Sequence, residues 1–141
     1  RPEMWARCGQ DIAYCRKVVN ECLRHSGIST VYRSVVRDFD YGGVRFPKDT
    51  MLILMVSMAG RDPAMFADPD TFDPERANAG QHVAFGRGEH FCIGMHLARA
   101  QIEEGLHLIA RRIPDPRPDG EVSWRSYMGV WGLQSLPIAF D

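Results

Sequence analysis

No apolar stretch in the 141 residues approaches the ~20 that a membrane-crossing helix needs; the longest, 51–59, is interrupted by Ser57. An excess of one charge is also lacking. The 17 Lys+Arg face 18 Asp+Glu, giving a net charge of -1 and a pI near 6.6. Without a basic field to neutralise phosphates, nucleic acid is excluded as a partner. The chain opens Arg1-Pro2-Glu3, with no initiator Met, basic leader or apolar leader segment, so no signal peptide is visible and the sequence reads as a piece of a longer chain. What remains, 45% hydrophobic and 25% charged, fits one soluble globular unit over 1–141.

Cysteine is sparse. Cys8, Cys15 and Cys22 recur every seven residues in one helical pattern, which would set neighbours ~10 Å apart along the axis, beyond disulfide reach. Reduced thiols and a cytoplasmic setting are expected. Three sulfurs at that spacing cannot converge on one metal ion, so they are read as small buried residues.

Cys8, Ile12, Cys15, Val19 and Cys22 form the stripe of a first helix ending near His25, with Gly27 as its stop signal. Residues 31–36 are β-branched and aromatic, and the Phe39-Asp40-Tyr41 and Val44-Arg45-Phe46 segments around Gly42-Gly43 predict a hairpin. The 51–59 run is read as a buried strand. The Asp-Pro-rich segment 61–76 predicts a meander of turns tacked down by Phe66 and Phe72. Its aspartates lack the alternation, central Gly and terminal Glu of a calcium loop. A long helix follows with one stripe of Met95, Ala98, Ile102, Leu106 and Ile109 and a second of Ile93, Leu97, Ala100 and Leu108, so it is expected to be central. Residues 133–140 look extended, and Trp5, Trp124 and Trp131 are read as packing residues.

The chemistry concentrates in Phe85-Gly86-Arg87-Gly88-Glu89-His90-Phe91-Cys92-Ile93-Gly94. Cys92 lies at a helix entrance, where free N–H groups and the helix dipole favour an anionic sulfur. Such a sulfur serves as nucleophile, zinc ligand or axial ligand to haem iron. Gly86 and Gly88 permit a tight reversal, and Gly94 lets a flat cofactor approach the helix backbone. Zinc would draw on His90, Cys92 and His96 but lacks a second ligand pair. A nucleophile would need a base and an orienting partner, neither of which the sequence reveals.

The pattern Phe85-x-x-Gly88-x-His90-x-Cys92-x-Gly94 resembles the cysteine-ligand loop of the cytochrome P-450 haem-thiolate monooxygenases. Upstream, Glu21-x-x-Arg24 is similar to that family's Glu-x-x-Arg pair, and Arg76 in Phe72-Asp73-Pro74-Glu75-Arg76 resembles the third member of the same structural charge cluster. The resemblance implies a mainly α fold with small β sheets, namely the C-terminal, proximal part of the cytochrome P-450 fold, and Leu97-Ala98-Arg99 resembles its bacterial soluble branch. It implies haem b as cofactor, with Cys92 as axial iron ligand, Arg33 and His90 as propionate contacts, and Phe85 packed beside the sulfur. Arg87 suits either a propionate or a redox partner. Gly86, Gly88 and Gly94 complete the cofactor-binding loop. None of His25, His82, His96, Arg99 and His107 receives a role; each is read as an ordinary polar position.

The activity so implied is oxygen insertion into a small organic substrate, with electrons from a ferredoxin or flavoprotein. The family's preceding half, with its distal helix and proton-delivering acid and alcohol, has no counterpart in these residues, so the chain alone is expected to bind haem at most. Two other functions stay open: a non-catalytic haem-thiolate module or sensor, and a peroxide-using enzyme. Substrate contacts are expected from 27–36 and 128–133, and the two-faced apolar helix predicts association.

Overall fold

The computed structural model describes residues 1–125 and 129–140. The first helical stripe is two helices rather than one, α1 (Pro2–Gln10) and α2 (Ile12–His25). Asp11 divides them: its extended backbone ends α1 through an N–H donated to the Arg7 carbonyl (2.9 Å), while its carboxylate accepts the Ala13 N–H (2.8 Å) and caps α2. The axial spacing inferred for one continuous helix therefore does not hold between Cys8 and Cys15. The Cys15 thiol donates to the Cys8 carbonyl at 3.1 Å. Both residues are buried with free thiols in a core shared with Tyr14, Val18 and Ala110, whereas Cys22 is exposed.

Four two-stranded antiparallel sheets follow among the described residues. β1 (Val31–Ser34) pairs with β4 (Met51–Leu54), setting Arg33 opposite Leu52. β2 (Phe39–Tyr41) and β3 (Val44–Phe46) form the expected hairpin, with Gly42 and Gly43 at φ 58° and 78°, the pair of positive angles a two-residue turn demands. The 51–59 run departs from expectation twice. It is strand only to Leu54, then folds into a one-turn helix, α3 (Val56–Ala59), because the Ser57 N–H turns back to the Ser29 carbonyl at 2.9 Å. It is also open rather than buried, Met51 being 60% exposed, since a two-stranded sheet offers only one partner edge and no covering layer.

The meander forms a succession of turns, with Phe66 buried and Phe72 against the helical core. The long helix, α4 (Met95–Arg112), crosses α1 closely: a Cβ on Gly9 would stand 3.0 Å from the Ala110 carbonyl oxygen. α4 is not central within this chain. Only Ala110 is fully buried along it, while Leu97 is 65% exposed and Ile93, just ahead of it, is fully open. β5 (Arg117–Pro118) pairs with β8 (Ile138–Ala139), and β6 (Ser123–Trp124) with β7 (Leu133–Ser135). Trp5 packs on the core and donates to the Ile113 carbonyl at 2.6 Å. Trp124 and Trp131 instead stack on each other, half exposed.

Candidate functional site: a cysteine loop over an apolar cavity

The cysteine loop is folded by its own backbone. The Gly86 N–H donates to the Val83 carbonyl at 2.8 Å, and Gly86 and Gly88 take φ values of 76° and 71°, where side chains other than glycine are strained. A single 3-10 turn, Gly88–His90, returns the chain so that the Cys92 N–H reaches the Phe85 carbonyl at 2.9 Å. The Cys92 carbonyl then accepts the Met95 N–H (3.2 Å) at the start of α4, with Gly94 at the cap. The sulfur is thereby held at the helix entry by two main-chain hydrogen bonds to its residue.

The Cys92 thiol is exposed and has no hydrogen-bond partner among the described residues. Among the described residues no base is engaged with it, and no three His, Cys, Asp or Glu side chains converge to hold a metal ion. The neighbouring space is open. A Cβ on Gly94 would approach only the Cys92 sulfur, at 3.9 Å. A cavity of about 590 Å³ lies against the loop, within the usual range of small-molecule sites. Phe85, Gly86, His90 and Cys92 line it from the loop side.

Its other walls are largely apolar: Val31 of β1, Val56 of α3 and Ile102 of α4. Ile28, Ser29 and Val130 also face it, the last two joined by an isolated antiparallel bridge. Val56 and Ile102 were not anticipated, because their distance in sequence gives no local pattern that links them to the loop. Met128, within the segment expected to meet substrate, lies outside the described residues.

Arg33, Gly88 and Gly94 are not in the cavity wall. Arg33 shares a strand face with Val31, two residues before it, and its exposed guanidinium donates to the Tyr32 carbonyl at 2.8 Å. Arg87 is exposed. His107 bonds the Cys8 carbonyl at 2.7 Å and His25 the Asp70 carbonyl at 3.2 Å, both as packing contacts. His82 is less ordinary than its sequence suggested, with a buried Nε2 that has no partner among the described residues.

Where α2 meets the meander, Glu21 and Arg24 are completely buried and paired through two hydrogen bonds of 2.7 Å. Arg24 also donates to the carbonyls of Gly60, Pro69 and Thr71, at 2.7, 2.8 and 3.0 Å. Arg76 approaches Glu21 at 3.5 Å and donates to the carbonyls of Ala67, Asp68 and Thr71. Burial alone would push the Glu21 carboxyl up. Hydrogen bonds from Arg24 and the Asp73 N–H, with the charges of Arg24 and Arg76, outweigh it and hold the group below its ordinary value of 4.5.

The profile of the family described as Cytochrome P450 matches residues 4–113. Among curated relatives, luteothin monooxygenase of Streptomyces thioluteus is 36% identical over 99% of this chain and 35% of its own length. The putative cytochrome P450 140 of Mycobacterium tuberculosis is 39% identical over 97% of this chain and 29% of its own length. The chain thus spans about a third of the length of the relatives it matches. Solved structures agree. P450BioI, in complex with an acyl carrier protein bearing a fatty acid, superposes with a TM-score of 0.91 at 30% identity over all of this chain and 37% of its own. Mycobacterium smegmatis CYP164A2 gives 0.88 at 34% identity, over 96% of this chain and 34% of its own. The fold is the C-terminal part of the P450 fold, haem b is the cofactor of these proteins, and the chain belongs to the cytochrome P450 family.

Proposed function

We propose that this chain is the proximal, haem-holding part of a haem-thiolate monooxygenase, in which the Cys92 sulfur would hold the iron. The observation that carries this is the Cys92 thiol, without a hydrogen-bond partner among the described residues, beside an open glycine face on the wall of the 590 Å³ cavity. A single sulfur donor, apolar walls and no engaged base suit a flat apolar macrocycle better than a closed metal site or a cysteine nucleophile. When bound, the haem supplies the iron at which dioxygen is activated.

The chain's own residues do the rest. Cys92 would contribute the sulfur that holds the metal and lends it electron density, and the turns at Gly86 and Gly88 fix where that sulfur sits. His90, on the cavity wall, and Arg33, on the β1 face shared with Val31, suit the two propionates, since guanidinium and imidazole both bind carboxylates well. Phe85 excludes water from the sulfur's flank and so tunes the metal through its surroundings. Ile28, Ser29 and Val130 face the space left for a small organic substrate. Glu21, Arg24 and Arg76 hold the meander against α2 and take no part in the chemistry. Electrons would come from a ferredoxin or flavoprotein docking near the cysteine loop and α2.

The test is the absorbance of the haem-supplied chain and of its full-length parent, reduced and exposed to carbon monoxide, beside Cys92→Ala. A strongly red-shifted band present in the parent and lost in C92A supports the ligand assignment; an unchanged band in C92A overturns it. Replacing Phe85 by Ala shifts the reduction potential if the ring shields the sulfur, and leaves it unmoved if the ring only fills the core.

A further inference from the structure

His82 sits at the end of the 3-10 turn Ala79–Gln81, three residues before Phe85. Its Nδ1 accepts the N–H of Ala84 at 3.2 Å, so this nitrogen is the unprotonated one and Nε2 carries the hydrogen. The ring stands 6.1 Å from the Phe85 ring, tilted by 49°. Two main-chain hydrogen bonds continue the series: Gly86 N–H to the Val83 carbonyl and Cys92 N–H to the Phe85 carbonyl. The His82 ring thus closes the near end of a segment whose far end holds the residue bearing the sulfur.

The surroundings favour the neutral ring that this bond requires. Burial first, and then the positive charge of Arg99 on α4, lower the affinity of His82 for a second proton. Its neighbours at a small adjoining cavity of about 190 Å³ include Asp62 and Arg87. Asp62, the one carboxylate on that wall among the described residues, is engaged by the Ala64 N–H at 2.9 Å. A second proton on His82 would turn Nδ1 from acceptor to donor and set it against the Ala84 N–H.

We propose that His82 is a positioning residue for the cysteine loop: its ring accepts the Ala84 N–H and fixes the Val83–Ala84 peptide, next to Phe85, whose carbonyl accepts the Cys92 N–H. The benefit to iron ligation rests on the function proposed above, but the positioning itself does not. Hydrogen exchange of the Ala84 and Cys92 amides in the haem-free chain reads it directly. His82→Leu, which keeps bulk and removes the acceptor, is expected to lower protection of both amides at least tenfold with α4 amides unchanged. His82→Asn restores an acceptor two residues before Ala84 and is expected to stay within about threefold of the parent chain. Acidification through pH 6.5 and below should lower Ala84 protection in the parent chain and not in H82N.

Unchanged protection in H82L overturns the proposal. So does equal loss in H82N and H82L while α4 stays protected. Should H82L fail to fold, the pH dependence of the parent chain against H82N decides alone, and its absence overturns the proposal. Loss of the carbon monoxide band in the parent chain with these exchange results intact would count against haem ligation and not against His82.

Discussion

At the scale of single residues, four cysteines of one chemical type divide into two buried, Cys8 and Cys15, and two exposed, Cys22 and Cys92. Burial pushes the Cys15 thiol up to about 12, and the neighbouring Cys8 thiol is pushed up for the same reason. A thiol-alkylating reagent at neutral pH should therefore modify Cys92 while sparing Cys8 and Cys15 until the chain is unfolded, which mass mapping of a time course would show. Haem, if Cys92 ligates it, should protect that same residue. The buried Glu21–Arg24 pair makes the opposite kind of statement. Glu21→Gln removes the charge and leaves the Arg24 guanidinium buried without a counterion, at a cost of about 3–5 kcal/mol in urea unfolding. A cost under about 1 kcal/mol would mean the carbonyl ligands of Arg24 suffice by themselves.

At the scale of elements, glycines mark close approaches between helices and turns. A Cβ on Gly60 would stand 1.9 Å from the Arg24 carbonyl oxygen, and one on Gly27 would stand 2.9 Å from the Ser57 Cα. In both cases the obstacle is backbone, so Gly60→Ala should separate the meander from α2 and lower the melting temperature by several degrees; an unchanged melt would show that the turn relaxes freely. Asp11→Ala removes the cap of α2 at a cost of about 1 kcal/mol. Helices, hairpin and meander were legible in the sequence because periodicity and turn residues are local signals. The division at Asp11 was missed, since an apolar recurrence of seven continues across a break when both helices face one core. The strand after Thr50 was read as buried from its apolar content, but apolarity tells what an element seeks to cover and not whether a cover is present. The cysteine loop was legible as a motif, whereas its opposing walls at Val56 and Ile102 meet it only through tertiary packing.

At the scale of the whole molecule, one charge cluster ties together what little regular structure the middle of the chain possesses, and it is sensitive to pH. The Glu21 carboxyl is held below 4.5, so the unfolded chain takes up its proton more readily than the folded one. The stabilisation is complete above that value and is lost as the pH falls below it. Thermal melts from about pH 7 to about pH 3 should show a fall that is much reduced in E21Q. The open apolar faces of α4 and of the β1–β4 sheet predict association with rising concentration, weakened by Leu97→Glu in sedimentation runs; a strict monomer at all concentrations would contradict this. No helix among the described residues is long and apolar enough to cross a membrane. Finally, Arg24 and Arg76 grip the meander at four carbonyl oxygens, those of residues 67, 68, 69 and 71, and Arg24 holds that of Gly60 just ahead of it. A carbonyl is the same in every amino acid, so this grip is blind to spelling. Saturation mutagenesis should find the solvent-facing letters of the meander freely rewritable, while the two arginines that read only its main chain tolerate almost nothing.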